Sequence, residues 1–344
     1  GYLIDARANK SFTLANDLLK ERMEVYRTTD SVKGADVAMG SFYVPSSAKT
    51  KVGIEKLIMQ SGLVVNAIAK RPASLQKINP AKVALWDNYG GSMASGWVRY
   101  IMEQYHFPVD LIYTKDIDTG KLRSKYDVII FVTGAVPALG VSATTANPPR
   151  GRTEVKPEDV PEEYRSRIGR ITAEKSVPEL KKFLEAGGNI VTIGTSTNLA
   201  YHLNLPVRDA LVEMVNGQEK KLPGEKFYIP GSVLRVSVDS TDQAAWGMNK
   251  EVDVYFDTSP VFTIAPDANS KGTVKPIAWF PNNKTLRSGW AWGQAYLQDG
   301  VSAFVAKVGE GKLYAFGPEI TFRSQTHGTF KFLFNELYVS MDGK

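Results

Sequence analysis

Apolar spacing changes along the chain, and each change predicts a different kind of element. Leu14, Leu18 and Leu19 supply the stripe of an amphipathic helix near Ser11–Arg22. Around it, short apolar runs predict strands at Tyr2–Asp5, Glu24–Arg27, Ser41–Val44 and Leu63–Ala69, with a second helix at Lys51–Ser61. These elements make a small α/β domain over residues 1–76. The stretch from Arg71-Pro72 to Asn79-Pro80 reads as the linker that ends it, since each proline interrupts backbone donation and biases its predecessor away from helix.

From Lys82 the rhythm becomes strand, helix, strand. An apolar strand, Lys82–Trp86, leads to a helix through Tyr105, and strands follow at Val109–Tyr113 and Asp127–Val132. Val128-Ile129-Ile130-Phe131-Val132 is a continuous apolar run, as expected where a parallel strand is buried on both faces. Residues 140–175, with Pro148, Pro149, Pro157 and Pro161, read as a long polar insertion. Helix Val177–Ala186 stops at Gly187-Gly188 and feeds strand Asn189–Gly194. The alternation predicts an α/β fold with a doubly wound, mostly parallel sheet over residues 77–344. After a helix near Val207–Val215 the period falls to two. Stretches 226–238, 252–264, 274–280, 284–293 and 301–308 read as antiparallel strands, with Asn282-Asn283 as a hairpin turn. The β-rich section at about 225–308 is thus an insertion or flanking layer, after which strand Lys312–Phe316 and a closing helix from Thr326 to Val339 return to α/β.

Composition narrows the chemistry. With 344 residues, 43% of them apolar and 23% charged, the chain is globular and long enough for more than one core. Its 42 basic residues exceed its 36 acidic ones by 6, but they are spread out, which makes a solvated surface and no case for nucleic acid. There is no cysteine, which excludes disulfides, cysteine-ligated zinc, iron–sulfur clusters and a thiol nucleophile, and leaves the compartment open. No stretch approaches the ~20 apolar residues of a membrane span. The first residues, Gly1-Tyr2-Leu3-Ile4-Asp5, lack the parts of a signal peptide, and the chain reads as an excised piece of something longer.

Several groups of residues carry candidate chemistry. Ile193-Gly194-Thr195-Ser196-Thr197-Asn198 ends an apolar strand in small residues before a helix, the setting of a nucleophile elbow that would lift Ser196, with Asn198 in place of the second glycine. The plain alternative is a helix cap. Arg323-Ser324-Gln325-Thr326-His327 joins a cation, an amide, hydroxyls and an imidazole, a set suited to an anion or carboxylate; alternatively Thr326 caps a helix and His327 packs on the sheet. Trp290-Ala291-Trp292 sets two rings on one side of a strand, which suits stacking on a sugar or burial in a core. Gly90–Gly96 lacks the lysine of a phosphate loop, which favours Ser92 as a helix cap.

The order of elements over 82–339 resembles the class I glutamine amidotransferase-like fold, also flavodoxin-like. The resemblance puts Ser196 where that fold has its cysteine, Gly317 where it has its histidine, and Glu319 at the acidic position of Phe316-Gly317-Pro318-Glu319. With no imidazole at Gly317 it implies a degenerate site, unless His327 supplies the base to Ser196. A second resemblance rests on Tyr2-Leu3-Ile4-Asp5, Val25-Tyr26-Arg27, Gly96-Trp97, Pro161-Glu162-Glu163-Tyr164-Arg165, Pro230-Gly231-Ser232, Ser288-Gly289-Trp290 and Gln325-Thr326-His327-Gly328-Thr329-Phe330-Lys331. Together these are similar to the region following the catalytic domain of large secreted bacterial zinc carboxypeptidases. That likeness implies a peptidase domain and its zinc upstream, since His106, His202 and His327 lack the family's ligand spacing. It implies a secreted or periplasmic accessory module, without its own metal or cofactor, whose partner is the upstream domain. The alternatives are a serine hydrolase or amidotransferase-like enzyme using Ser196 with Glu319 and His327, and a module binding a small molecule, peptide or glycan through Asn198, Arg323, Trp290 and Trp292.

Overall fold

Short runs of β-branched and aromatic residues build a first, antiparallel sheet. The computed structural model describes residues 1–140 and 155–340. Its first strands are β1 (Tyr2–Ile4), β2 (Val25–Thr28), β3 (Phe42–Val44), β4 (Val65–Ala67) and β5 (Leu75–Pro80), in the spatial order β5-β2-β3-β1-β4. Helix α1 (Lys10–Lys20) packs Phe12, Leu14 and Leu18 into the core. Helix α2 (Ala48–Ser61) starts earlier than its apolar pattern suggests. Ser47 and Thr50 form a capping box there, satisfying backbone donors of the first turn.

The second sheet begins with β6 (Val83–Trp86), β7 (Asp110–Ile112), β8 (Val128–Phe131) and β9 (Asn189–Ile193). Helix α3 (Met93–Gln104) connects the first two, and Ser92 caps it as expected. Every residue of β6 and β8 is buried, which explains their unbroken apolar sequence. The helix before β9, Ser176–Glu185, ends with Gly187 at φ +88°, where the N–H groups of Gly187 and Gly188 bond the carbonyls of Leu184 and Phe183. Next come β10 (Val207–Asp209), β11 (Val212–Val215), β12 (Gln218–Lys221), β13 (Pro230–Val238), β14 (Glu251–Asp257), β15 (Phe262–Ile264), β16 (Val274–Trp279), β17 (Leu286–Ser288), β18 (Val301–Val308) and β19 (Gly311–Phe316). The parallel strands lie in the order β7-β6-β8-β9-β19, and the sheet continues antiparallel through β18, β16, β13 and β14. The result is mixed α/β, with the β-rich section extending the parallel sheet edge to edge.

Five local expectations are corrected. Residues 75–80, expected in a linker, form β5, because β2 on one side and the chain's last strand, β20 (Tyr338–Ser340), on the other satisfy its backbone. The helix expected at Val207–Val215 is instead β10 and β11. Val207 pairs with Ile264, and β11 turns into β12 through Asn216-Gly217, both at positive φ, the signature of a tight hairpin. Asn282-Asn283 is not a hairpin, since β16 and β17 both pair with β13. The closing helix from Thr326 shortens to Phe330–Phe334, and the chain then extends to pair with β5. In the expected strand 284–293, only Leu286–Ser288 is a strand; Trp292 contributes an isolated bridge to Tyr228. Within the expected insertion, short 3-10 turns stand at Pro157–Asp159 and Glu162–Arg167, while Pro148 and Pro149 lie outside the described residues.

The two sheets meet around a buried cation. Arg27 of β2 is 3% exposed, and its guanidinium lies 4.8 Å from the ring of Phe42, 5.3 Å from Trp246 and 5.4 Å from Phe12. Its Nη2 donates to Asn335 Oδ1 at 2.9 Å, and Asn335 Nδ2 donates to the carbonyls of Ala244 at 3.2 Å and Trp246 at 3.1 Å. Gly40, at φ +80°, closes this site: a Cβ there would fall 2.4 Å from Trp246 and 2.5 Å from Arg27 Nη2. Burial pulls the Arg27 guanidinium down to about 10, and pushes the neighbouring Glu336 carboxyl up to about 8 against an opposing hydrogen bond from Tyr314.

Two outcomes follow from this centre. Asn335→Ala leaves the buried guanidinium without its acceptor and is expected to lower unfolding free energy by about 3–5 kcal/mol in urea titrations. For Glu336, the native state keeps a proton that the unfolded chain loses near 4.5, so stability falls as pH rises from there to about 8. Glu336→Gln is expected to remove that slope, read from melting temperatures across the same range.

Candidate functional site

The turn after β9 is built on a glycine that no other residue can replace without movement. Gly194 has φ +59°, and a Cβ there would lie 1.7 Å from Thr133 Oγ1 and 2.5 Å from Glu319 Oε1. This close approach brings together the turn after β9, the loop after β8 and the segment after β19, at the carboxyl ends of three parallel strands. In open α/β sheets that is where ligands bind.

Here the space is occupied by the protein's own hydrogen bonds. The Ser196 side chain is fully buried; its hydroxyl donates to the Val132 carbonyl and accepts from the N–H groups of Ala135 at 3.2 Å and Val136 at 3.1 Å. A hydroxyl has one proton and two lone pairs, so this one is saturated. Thr195 Oγ1 accepts from Gly134 N at 2.9 Å, Asn198 Nδ2 donates to the Val136 carbonyl at 3.4 Å, and the His202 ring meets the Pro137 carbonyl at 2.9 Å. The 194–202 segment is therefore a clasp on residues 132–137.

Ser196, Glu319 and His327, the set weighed as an alternative, are not hydrogen-bonded to one another among the described residues. Glu319 is bonded by the Thr133 hydroxyl, and burial, reinforced by Asp257, raises its carboxyl above the usual range against that bond. Gly317 could not carry an imidazole in this backbone: a Cβ would stand 2.1 Å from the Pro260 carbonyl oxygen. His327 is exposed, its ring 4.9 Å from Phe330, and no hydrogen bond links it to Ser196 among the described residues. Among the described residues the three hydrogen-bond partners of Ser196 are backbone groups.

The anion-binding set fares differently. Arg323, Ser324 and His327 line a groove of about 590 Å³ between α1 and α3, together with Lys10, Thr13, Trp97, Tyr100, Gln104 and Tyr105. Thr326 caps no helix; its hydroxyl donates to the Ile320 carbonyl at 2.7 Å. Sequence reasoning missed the α3 side of this groove. The signal was present in Trp97 and Tyr100, three residues apart and off the buried stripe of Val98, Ile101 and Met102.

Trp290 and Trp292 are 61% and 52% exposed, so they are not core residues. Trp290 is tied through its backbone and Trp292 through its ring. The Trp290 backbone N–H donates to Ser232 Oγ at 2.8 Å, and the Trp292 indole donates to the Glu225 carbonyl at 2.7 Å. Among the described residues no group of three His, Asp or Glu converges as a metal site, and no helix is long and apolar enough to cross a membrane.

No family model matches the chain, and no curated protein matches it. Among solved structures it is similar to a protein from Thermoplasma acidophilum described as a subunit of GMP synthase, at 12% identity and a TM-score of 0.42 over 75% of this chain and 92% of that one. It is also similar to a protein described as ThuA-like from Bacteroides uniformis, at 11% identity and a TM-score of 0.39 over 79% of this chain and 94% of the other. A β-galactosidase from Bacillus circulans sp. alkalophilus is similar at 12% identity and a TM-score of 0.37 over 71% of this chain. The chain spans 29% of the length of that enzyme.

Proposed function

We propose that the chain is a non-catalytic accessory module with a class I glutamine amidotransferase-like, doubly wound sheet, whose nucleophile turn has become a structural clasp. The observation that carries this reading is the saturated, buried Ser196 hydroxyl. The missing space for a side chain at Gly317 supports it, as does the parallel order β7-β6-β8-β9-β19, which is that of flavodoxin-like sheets. On the sequence resemblance, the parent is a secreted or periplasmic zinc carboxypeptidase whose metal-bearing domain lies upstream. The module packs on that domain and stabilises or orients it.

A second reading is favoured by one observation. Trp290 and Trp292 stand exposed, the Trp292 ring held by its indole bond to the Glu225 carbonyl and Trp290 tied through its backbone, and Tyr228, which bridges Trp292, is exposed as well. Exposed rings suit stacking on the apolar faces of a glycan or on a peptide.

For the first reading, a serine-reactive phosphonate followed by mass spectrometry is expected to leave Ser196 unlabelled, and the zinc-treated chain is expected to release no carboxy-terminal residue and to hydrolyse no glutamine. Labelling that disappears in Ser196→Ala overturns it; otherwise that variant only loses about 1–3 kcal/mol of stability, because it leaves buried backbone groups unpaired. For the second reading, retention on an immobilised polysaccharide should fall about tenfold or more in Trp290→Ala/Trp292→Ala with the melting temperature unchanged. Undiminished retention, or none from the outset, counts against it.

A further inference from the structure

We infer that the groove between α1, α3 and the 322–328 turn binds a small organic carboxylate whose ring-bearing body lies against Trp97, Tyr100 and Tyr105. The lining is chemically one-sided: Arg323 brings a guanidinium, Ser324 a hydroxyl and His327 an imidazole, and among the described residues no aspartate or glutamate lines the groove. The Arg323 guanidinium lies 5.2 Å from the Phe322 ring and pairs with no carboxylate among the described residues. A planar guanidinium presents parallel N–H groups that a carboxylate matches with two bonds.

The opposite wall calls for a different chemistry. Trp97 and Tyr100 meet edge to face at 6.0 Å, and Tyr105 is propped by Phe334 at 4.7 Å and Phe330 at 6.0 Å. Inorganic anions gain nothing from such rings, while an apolar molecule would leave the cation unanswered. A carboxylate attached to a flat or ring-shaped body uses both walls, and about 590 Å³ holds one of amino-acid or monosaccharide size.

The groove is also pre-formed. Arg323 and Ser324 take consecutive left-handed conformations, φ +48° and +55°, which non-glycine residues keep only where their surroundings hold them. Thr326 and Thr329 do so by donating to the Ile320 carbonyl at 2.7 and 2.6 Å, and Asn9 Nδ2 ties the turn to the start of α1 through the His327 carbonyl at 2.8 Å. Less ordering is then left for the ligand to offset. This site is independent of the accessory reading, which stands or falls on Ser196.

Calorimetric titration of the full chain tests it. N-acetylphenylalanine and glucuronate carry the carboxylate on an aromatic and on a sugar body, and at least one is expected to bind. The matching neutral amide of the binder, and acetate, should each bind about tenfold more weakly or worse. Arg323→Gln, at an exposed position, should weaken the acid by a similar factor without lowering the melting temperature, and Trp97→Leu should weaken the acid while leaving acetate unaffected. Which acid binds decides the nature of the body. Binding of the amide as tightly as the acid, equal binding of acetate, indifference to Arg323→Gln, or no binding of either acid overturns the proposal.

Discussion

A positive charge cannot enter an apolar interior unless several groups share its desolvation, and Arg27 imposes that condition on the whole molecule. Its partners come from distant parts of the sequence: Phe12 on α1, Phe42 on β3, Trp246 from the β-rich section and Asn335 near the end of the chain. Asn335 can serve the guanidinium only because its amide group is itself held by two carbonyls of the 244–246 turn. Once these residues converge, the last strand must run beside β5, and Tyr338 reaches Asn16 on α1 with its hydroxyl at 2.8 Å. The first, antiparallel sheet and the larger mixed sheet are thereby joined, the chain's last strand lying in the first sheet.

That junction also shapes the surface. With the 320–340 stretch anchored beneath Asn335 and the Ile320 carbonyl, the 322–328 turn is left standing against α1 and α3, and the cationic, ring-lined groove is the space between them. Asn16 Nδ2, bonded to the Tyr105 carbonyl at 2.8 Å, sets the spacing of the two helices. The centre that holds the halves together is thus continuous with the elements that frame the groove.

The carboxyl ends of β8, β9 and β19 illustrate the opposite use of polar groups. Thr133, Thr195, Ser196 and Glu319 are residue types that elsewhere perform chemistry, but here each is bonded to another part of the same turn region. A hydroxyl whose proton and lone pairs are all engaged lends rigidity to the turn. The groups not spent in this way are exposed, the Arg323 guanidinium in the groove and the rings of Trp290 and Trp292 on the β-rich section.

The unbroken apolar runs of β6 and β8, the alternation of β13 and the cap at Gly187 were legible in the sequence, because strand burial and helix termination depend on neighbouring residues. So were Ser196 and Arg323 as residues to examine, and the Asn216-Gly217 hairpin could have been read. Pairing over long distances was not legible: nothing local says that residues 75–80 would lie between β2 and the final strand, since a strand is decided by whoever completes its backbone bonds. Nor could the sequence tell that Ser196 would be saturated and that Arg323 would pair with no carboxylate among the described residues. A side chain's chemistry depends on what surrounds it in space, and those surroundings come from segments tens to hundreds of residues away.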